Sequence, residues 1–153
     1  MFPTTLALLL MAAAPDADCR LDISHAQIGD APPSARVRAG YASLHNPGSE
    51  AVVIRGASSP AFGAVEIHEM FEKDGMMRMR PLKELVVPAG ETVELKRGGL
   101  HFMLFRPQVD TADGIATTLT LDACGGLDFD IGTIDAHDRD GGDAPTDDDH
   151  DHH

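Results

Sequence analysis

The sequence predicts an all-β sandwich, and three observations carry the prediction. Turn signals recur roughly every ten residues, the apolar segments between them are short, and no stretch sustains the apolar period of an amphipathic helix. Many short strands at that spacing are the pattern of a sandwich or barrel. The chain has 153 residues and no internal repeat. That length accommodates one hydrophobic core without metal or disulfide staples.

Taken in order, residues 1–17 read as an export signal. The run Leu6–Ala14 has the length of a signal's apolar region and small residues follow it, although no Lys or Arg precedes it. Cleavage is expected near Ala17. Residues 18–134 read as the folded domain. Strands are expected over Gly40–Leu44, Ala51–Arg55, Val65–Phe71, Met76–Met79, Leu85–Val87, Thr92–Leu95, Leu100–Phe105, Ile115–Leu121 and Leu127–Ile131. Asn46-Pro47-Gly48, Lys73-Asp74-Gly75, Pro88-Ala89-Gly90 and Gly125-Gly126 are among the turns that separate them. Residues 135–153 hold eight Asp, one Arg and no apolar residue larger than Ala, a net charge of −7. Such a segment cannot bury enough surface to offset ordering entropy, so a disordered acidic tail is expected there.

The formal charge of the whole chain is −13. Nucleic-acid binding needs a basic face that releases counterions, and anionic lipid attracts basic segments, so both partners are excluded. No apolar run reaches the roughly 18 residues of a spanning helix, so stable membrane insertion is not expected. Cys19 and Cys124 lie too far apart for a CxxC motif. An even count in an exported chain favours one disulfide tying the start of the domain to a late strand. Two separate buried thiols are the alternative.

Strand side chains alternate between faces. Along Val65–Glu72, the apolar set Val65, Ile67 and Phe71 is expected to face the core, with Glu66, His68, Met70 and Glu72 on a wet face. Along Leu100–Phe105, Leu100, Phe102 and Leu104 form the apolar set, and His101 and Met103 share the opposite face. Two strands thus present His-x-Met away from the core. Between them, Met77 and Met79 share one parity. Any one such residue is ordinarily a solvated side chain. Together they are soft thioethers and imidazoles, a donor set that suits Cu(I). Zinc would call for thiolate or His and carboxylate, and calcium for oxygen.

His68 to Met79 spans ten intervening residues, Met79 to His101 twenty-one, and His101 to Met103 one. Those three spacings are the motif of the PCuAC family, the periplasmic copper chaperones, which the segment Val65–Phe105 resembles. Flanking stretches also look like that family: Ile67-His68-Glu69-Met70, Met77-Arg78-Met79-Arg80-Pro81, Pro88-Ala89-Gly90, and Val93-Glu94-Leu95-Lys96 leading to Gly98-Gly99. The resemblance covers roughly residues 20–132 and is weakest before Gly40. It implies a cupredoxin-like Greek-key β-sandwich in the periplasm that holds one Cu(I) through His68, Met79, His101 and Met103, with Met70 as a reserve ligand. It further implies a copper-accepting partner, either a subunit of cytochrome c oxidase, whose binuclear copper centre would receive the metal, or another copper chaperone.

The tail lies outside that resemblance. Its His137, His150, His152 and His153 sit among Asp residues, and imidazole with carboxylate suits Cu(II), Ni(II) or Zn(II) better than Cu(I). A second metal site is expected there, against the alternative of a merely solubilising segment. An enzyme is the rival class. The sequence offers no G-x-S-x-G and no Ser/His/Asp or Cys/His arrangement, and a blue-copper site would need a Cys beside the His. Copper sequestration without a dedicated acceptor is a further reading. A metal-free interaction module leaves the paired His-x-Met spacing unexplained.

Overall fold

The computed structural model describes residues 19–109 and 114–133. The export signal expected over residues 1–17 and the tail expected over residues 135–153, with His137, His150, His152 and His153, lie outside the described residues.

Within them the chain is all β. Its strands are β1 (Asp22–Ile28), β2 (Val37–His45), β3 (Val52–Ser58), β4 (Phe62–Lys73), β5 (Met76–Pro81), β6 (Leu85–Val87), β7 (Thr92–Leu95), β8 (Leu100–Pro107), β9 (Ile115–Leu121) and β10 (Gly125–Thr133). They are hydrogen-bonded in the order β5-β4-β8-β7-β2-β1-β10-β9-β3-β6, with β8 also pairing directly to β2 and β4 to β3. Two thin seams join the two layers of the sandwich. One is the parallel contact of Gln27 with Gly132 and Ile28 with Thr133. The other is the single pair Ala57–Val65. Connections β2–β3 and β8–β9 cross between layers, so consecutive strands there are not neighbours, as in a Greek key.

The core lies between the layers. Leu44, Ile54, Val87, Phe102, Leu104, Leu119 and Ile131 are all fully buried. Period-2 alternation puts them there: in β9, Ile115, Thr117, Leu119 and Leu121 point inward while Ala116 and Thr120 point out. Polar residues are buried as well, Asn46 the most completely. Asn46 is fully buried, and its Nδ2 donates to the carbonyls of Glu50 and Val87 while its Oδ1 accepts from the Gly48 amide. With its polar atoms paired, it pins the β2–β3 crossing to β6 at little desolvation cost.

Local chemistry explains the turns. Lys73 pairs with Met76 across the two residues Asp74 and Gly75, both at positive φ (56° and 74°). That is a type I′ hairpin, for which Asp-Gly is a preferred sequence. The hairpin extends β4 and β5 into an arm. Two expectations are corrected here. Phe71 is not part of the core cluster; β4 runs past the sandwich into the arm, and Phe71 is only half-buried beneath the Arg80 guanidinium, 4.8 Å from its ring centre. Gly125-Gly126 begins β10 rather than lying in a turn, with Gly125 at φ 72° admitting the chain from the Asp122–Cys124 turn. Cys19 and Cys124 form a disulfide with Cα atoms 6.0 Å apart.

Candidate metal centre

Register brings the singled-out residues together on the outer face of β5, β4 and β8. His68 lies directly opposite His101, Glu66 opposite Met103, and Met70 opposite Met79. Directly opposed residues of an antiparallel pair share a face, so Glu66, His68, Met70, Met79, His101 and Met103 form one patch. The two imidazole rings have centroids 6.1 Å apart.

The two His are not on a wet face, as their parity suggested. His68 is 8% exposed and His101 6%. Long side chains from neighbouring positions cover them. Phe105 packs on His68 with ring centres 6.1 Å apart. Met79 crosses over β4 from the edge strand, so that its Sδ lies 3.2 Å from His101 Nε2. Met79 itself is 47% exposed, so the pocket has a dry floor and a thioether rim open to solvent. Met70 and Met103 are half-buried on the same face.

Hydrogen bonding fixes the remaining nitrogens. His101 Nδ1 is 3.0 Å from the Gly99 carbonyl oxygen. A carbonyl only accepts, so Nδ1 carries the proton, and in the neutral ring Nε2 presents a lone pair. That lone pair faces the lone pairs of Met79 sulfur. Two electron-rich atoms at such a distance are brought into favourable contact by a cation between them. His68 Nε2 lies 2.7 Å from Glu66 Oε2, and His68 Nδ1 is buried with no hydrogen-bond partner. Buried polar atoms are nearly always paired, so the orphaned Nδ1 is an exception that calls for an explanation. Among the described residues no group of three or more His, Cys, Asp or Glu converges, and the sulfur atoms beside the two His are those of Met70, Met79 and Met103.

Glu66 and Phe105 were not singled out from sequence, although both share parity with His68 and Met103. Period-2 alternation already placed Glu66 on the face of His68, and carrying it one step past Met103 places Phe105 on the face of His101.

The model of the LpqE-like lipoprotein family, "Putative lipoprotein LpqE-like", matches residues 21–131. The chain belongs to the LpqE-like family. A curated relative, "Putative lipoprotein Lxx21020" of Leifsonia xyli subsp. xyli (strain CTCB07), is 32% identical over 84 residues, which is 54% of this chain and 51% of that protein. The match thus spans about half the length of that relative. Among solved structures, the apo PCuAC domain from PmoF1 superposes with a TM-score of 0.61 at 18% identity, covering 74% of this chain and 92% of that one. The copper-bound PCuAC domain from PmoF2 gives 0.60 at 16%, covering 74% and 91%. This LpqE-like chain therefore has the cupredoxin-like β-sandwich fold of PCuAC domains. Among the described residues no helix is long and apolar enough to cross a membrane.

Proposed function

We propose that this LpqE-like protein is a non-enzymatic carrier of Cu(I), exported to the periplasm, with copper as its cargo. The convergence of His101 Nε2 with Met79 Sδ beside the orphaned Nδ1 of His68 carries this reading. The ligands are His68, Met79, His101 and Met103. Two imidazoles and two neutral thioethers match soft Cu(I) better than zinc or calcium. In an oxidising compartment thioether has the further advantage that it does not form disulfides. A carrier must release as well as hold. The buried imidazoles anchor the ion, and the exposed Met79 rim leaves a side on which a partner's ligands can attack. The likeness of the fold to a copper-bound domain supports the reading, as do the three motif spacings.

The recipient is a copper-accepting protein, with the copper centre of cytochrome c oxidase as the destination. The His-containing segment 135–153 supplies a separate Cu(II) site of imidazole and carboxylate. Competition of the purified protein against a chromophoric Cu(I) chelator tests the central claim: one Cu(I) per chain is expected, and Ag(I), equally soft, should displace it. Failure to compete, or loss of binding spread evenly over all Met→Ala variants, overturns the assignment. Truncation after residue 134 should keep one Cu(I) and lower Cu(II) uptake; undiminished Cu(II) uptake would make the segment a solubilising tail.

A further inference from the structure

We propose that Glu66 is the positioning residue that decides which nitrogen His68 offers to the metal: by holding the proton on Nε2 it makes His68 ligate through Nδ1, whereas His101 ligates through Nε2. The proposal rests on the Cu(I) reading and adds to it an unequal use of the two imidazoles.

The geometry points this way from three sides. An ionised carboxylate has no proton to give, so at 2.7 Å it is His68 Nε2–H that donates to Glu66 Oε2. The other nitrogen is then a lone pair, and it is the buried atom without a partner. Glu66 precedes His68 by two positions on the same face, while Met70 follows by two and faces Met79. The two nitrogens of an imidazole point away from each other. A ring that gives Nε2 to Glu66 therefore keeps Nδ1 for another partner, and directly across the ladder from His68 stands His101, whose Nε2 meets Met79 Sδ. His101 is held by a different device, the Gly99 carbonyl on Nδ1, and so presents the opposite nitrogen. A carboxylate hydrogen-bonded to a ligating imidazole fixes the tautomer and makes the ring a better donor. The Glu66 side chain is itself half-exposed, so replacing it leaves the core untouched.

The test is two-bond proton–nitrogen correlation NMR on the full chain labelled with 15N-histidine. Without metal, His68 is expected as the Nε2–H tautomer and His101 as the Nδ1–H tautomer. Adding Ag(I) should move the Nδ1 resonance of His68 and the Nε2 resonance of His101. Glu66→Leu should leave His68 a mixture of tautomers and weaken Ag(I) and Cu(I) binding by about 10–100-fold, the range for partners of metal-bound His. Glu66→Gln, whose amide oxygen still accepts from Nε2–H, should restore the tautomer and most of the affinity. A metal-free His68 in the Nδ1–H form, an Ag(I) shift at His68 Nε2, or a Glu66→Leu protein with unchanged tautomer overturns the proposal. Ag(I) leaving both rings unmoved overturns the copper reading and the ligation claim with it, while the role of Glu66 in setting the tautomer is still judged from the metal-free spectra.

Discussion

The body of the β4–β8 pair and the arm that β4 makes with β5 share a strand, yet they invert the ordinary relation between polarity and burial. In the body, the two imidazoles are buried at 8% and 6% exposure. In the arm, Met76, Met77 and Met79 stand 62%, 57% and 47% exposed. Apolar thioethers are normally the residues inside, and a partnerless polar nitrogen normally lies outside. An inversion in both directions at one place is not explained by stability. The Cu(I) site proposed above accounts for it: a dry floor would hold an ion and an open rim would release it.

Emptying the core behind the body should cost folding, whereas changes on the arm should leave folding nearly intact. The largest effect is expected away from both, at the disulfide. Replacing Cys19 and Cys124 by Ala should lower stability by up to about 4–5 kcal/mol on the chain-entropy model, given a sequence separation of 105. Denaturant unfolding measures this, and two titratable thiols in the unreduced, denatured native protein would remove its basis. Cu(I) affinity should survive the replacement wherever the domain remains folded. Next comes Phe102→Ala, which empties a fully buried position on β8 behind the His pair and should cost about 3–5 kcal/mol. Met76→Ala, on the arm, should stay within about 0.5 kcal/mol.

The proposed site draws on both regions. His101→Ala and Met79→Ala should each weaken Cu(I) binding by more than the roughly 10–100-fold typical of outer partners, read by chelator competition. Met76→Ala should not change it, because Met76 lies on the opposite parity from Met79. A Met79→Ala protein that binds as well as the native chain would dissolve the distinction between rim and bystander.

The smallest effect lies on the far layer. Arg55 donates to Asp122 at 2.9 Å and also pairs with Glu84. The Arg55 hydrogen bond and charge hold the Asp122 carboxyl below its usual 3.8. A lowered folded-state value stabilises the fold above the unfolded value and loses that contribution as pH falls through the folded one. The melting temperatures of native and Asp122→Asn protein should therefore differ slightly at neutral pH and converge below about pH 3.8. A gap that widens in acid would show that the pair does not act through ionisation.

Much of this architecture is legible along the chain, for identifiable reasons. The bounds of β6, β7 and β9 follow from apolar segments framed by Gly, Pro and Asp-Gly punctuation. β1 has no counterpart among the expected strands. Its register shifts between Ser24 and Gln27, and His25 lies at φ 52°, so its sequence does not alternate. Parity put His68 with Met70 and His101 with Met103, each pair on one face of its own strand, but the pairing of β5, β4 and β8 that brings Met79 beside them is set between strands and is not in the parity. Nor could parity give their burial, because that depends on Met79 reaching over β4 and Phe105 closing on His68, contacts made between strands.

The bridge also governs how the molecule carries load. Gln27 and Gly132, like Cys19 and Cys124, are 105 positions apart, so the covalent bond and the two parallel ladder pairs lie in one register of the β1–β10 seam. Tension applied to the chain on either side of the domain enters at Cys19, crosses the sulfur bridge to Cys124 and leaves along β10. The intervening residues 20–123, which include the four proposed Cu(I) ligands, hang from that line as a slack loop. A pull that would shear an unbridged domain apart strand by strand is therefore borne outside the proposed metal centre, and the geometry around His68 and His101 stays mechanically insulated from it.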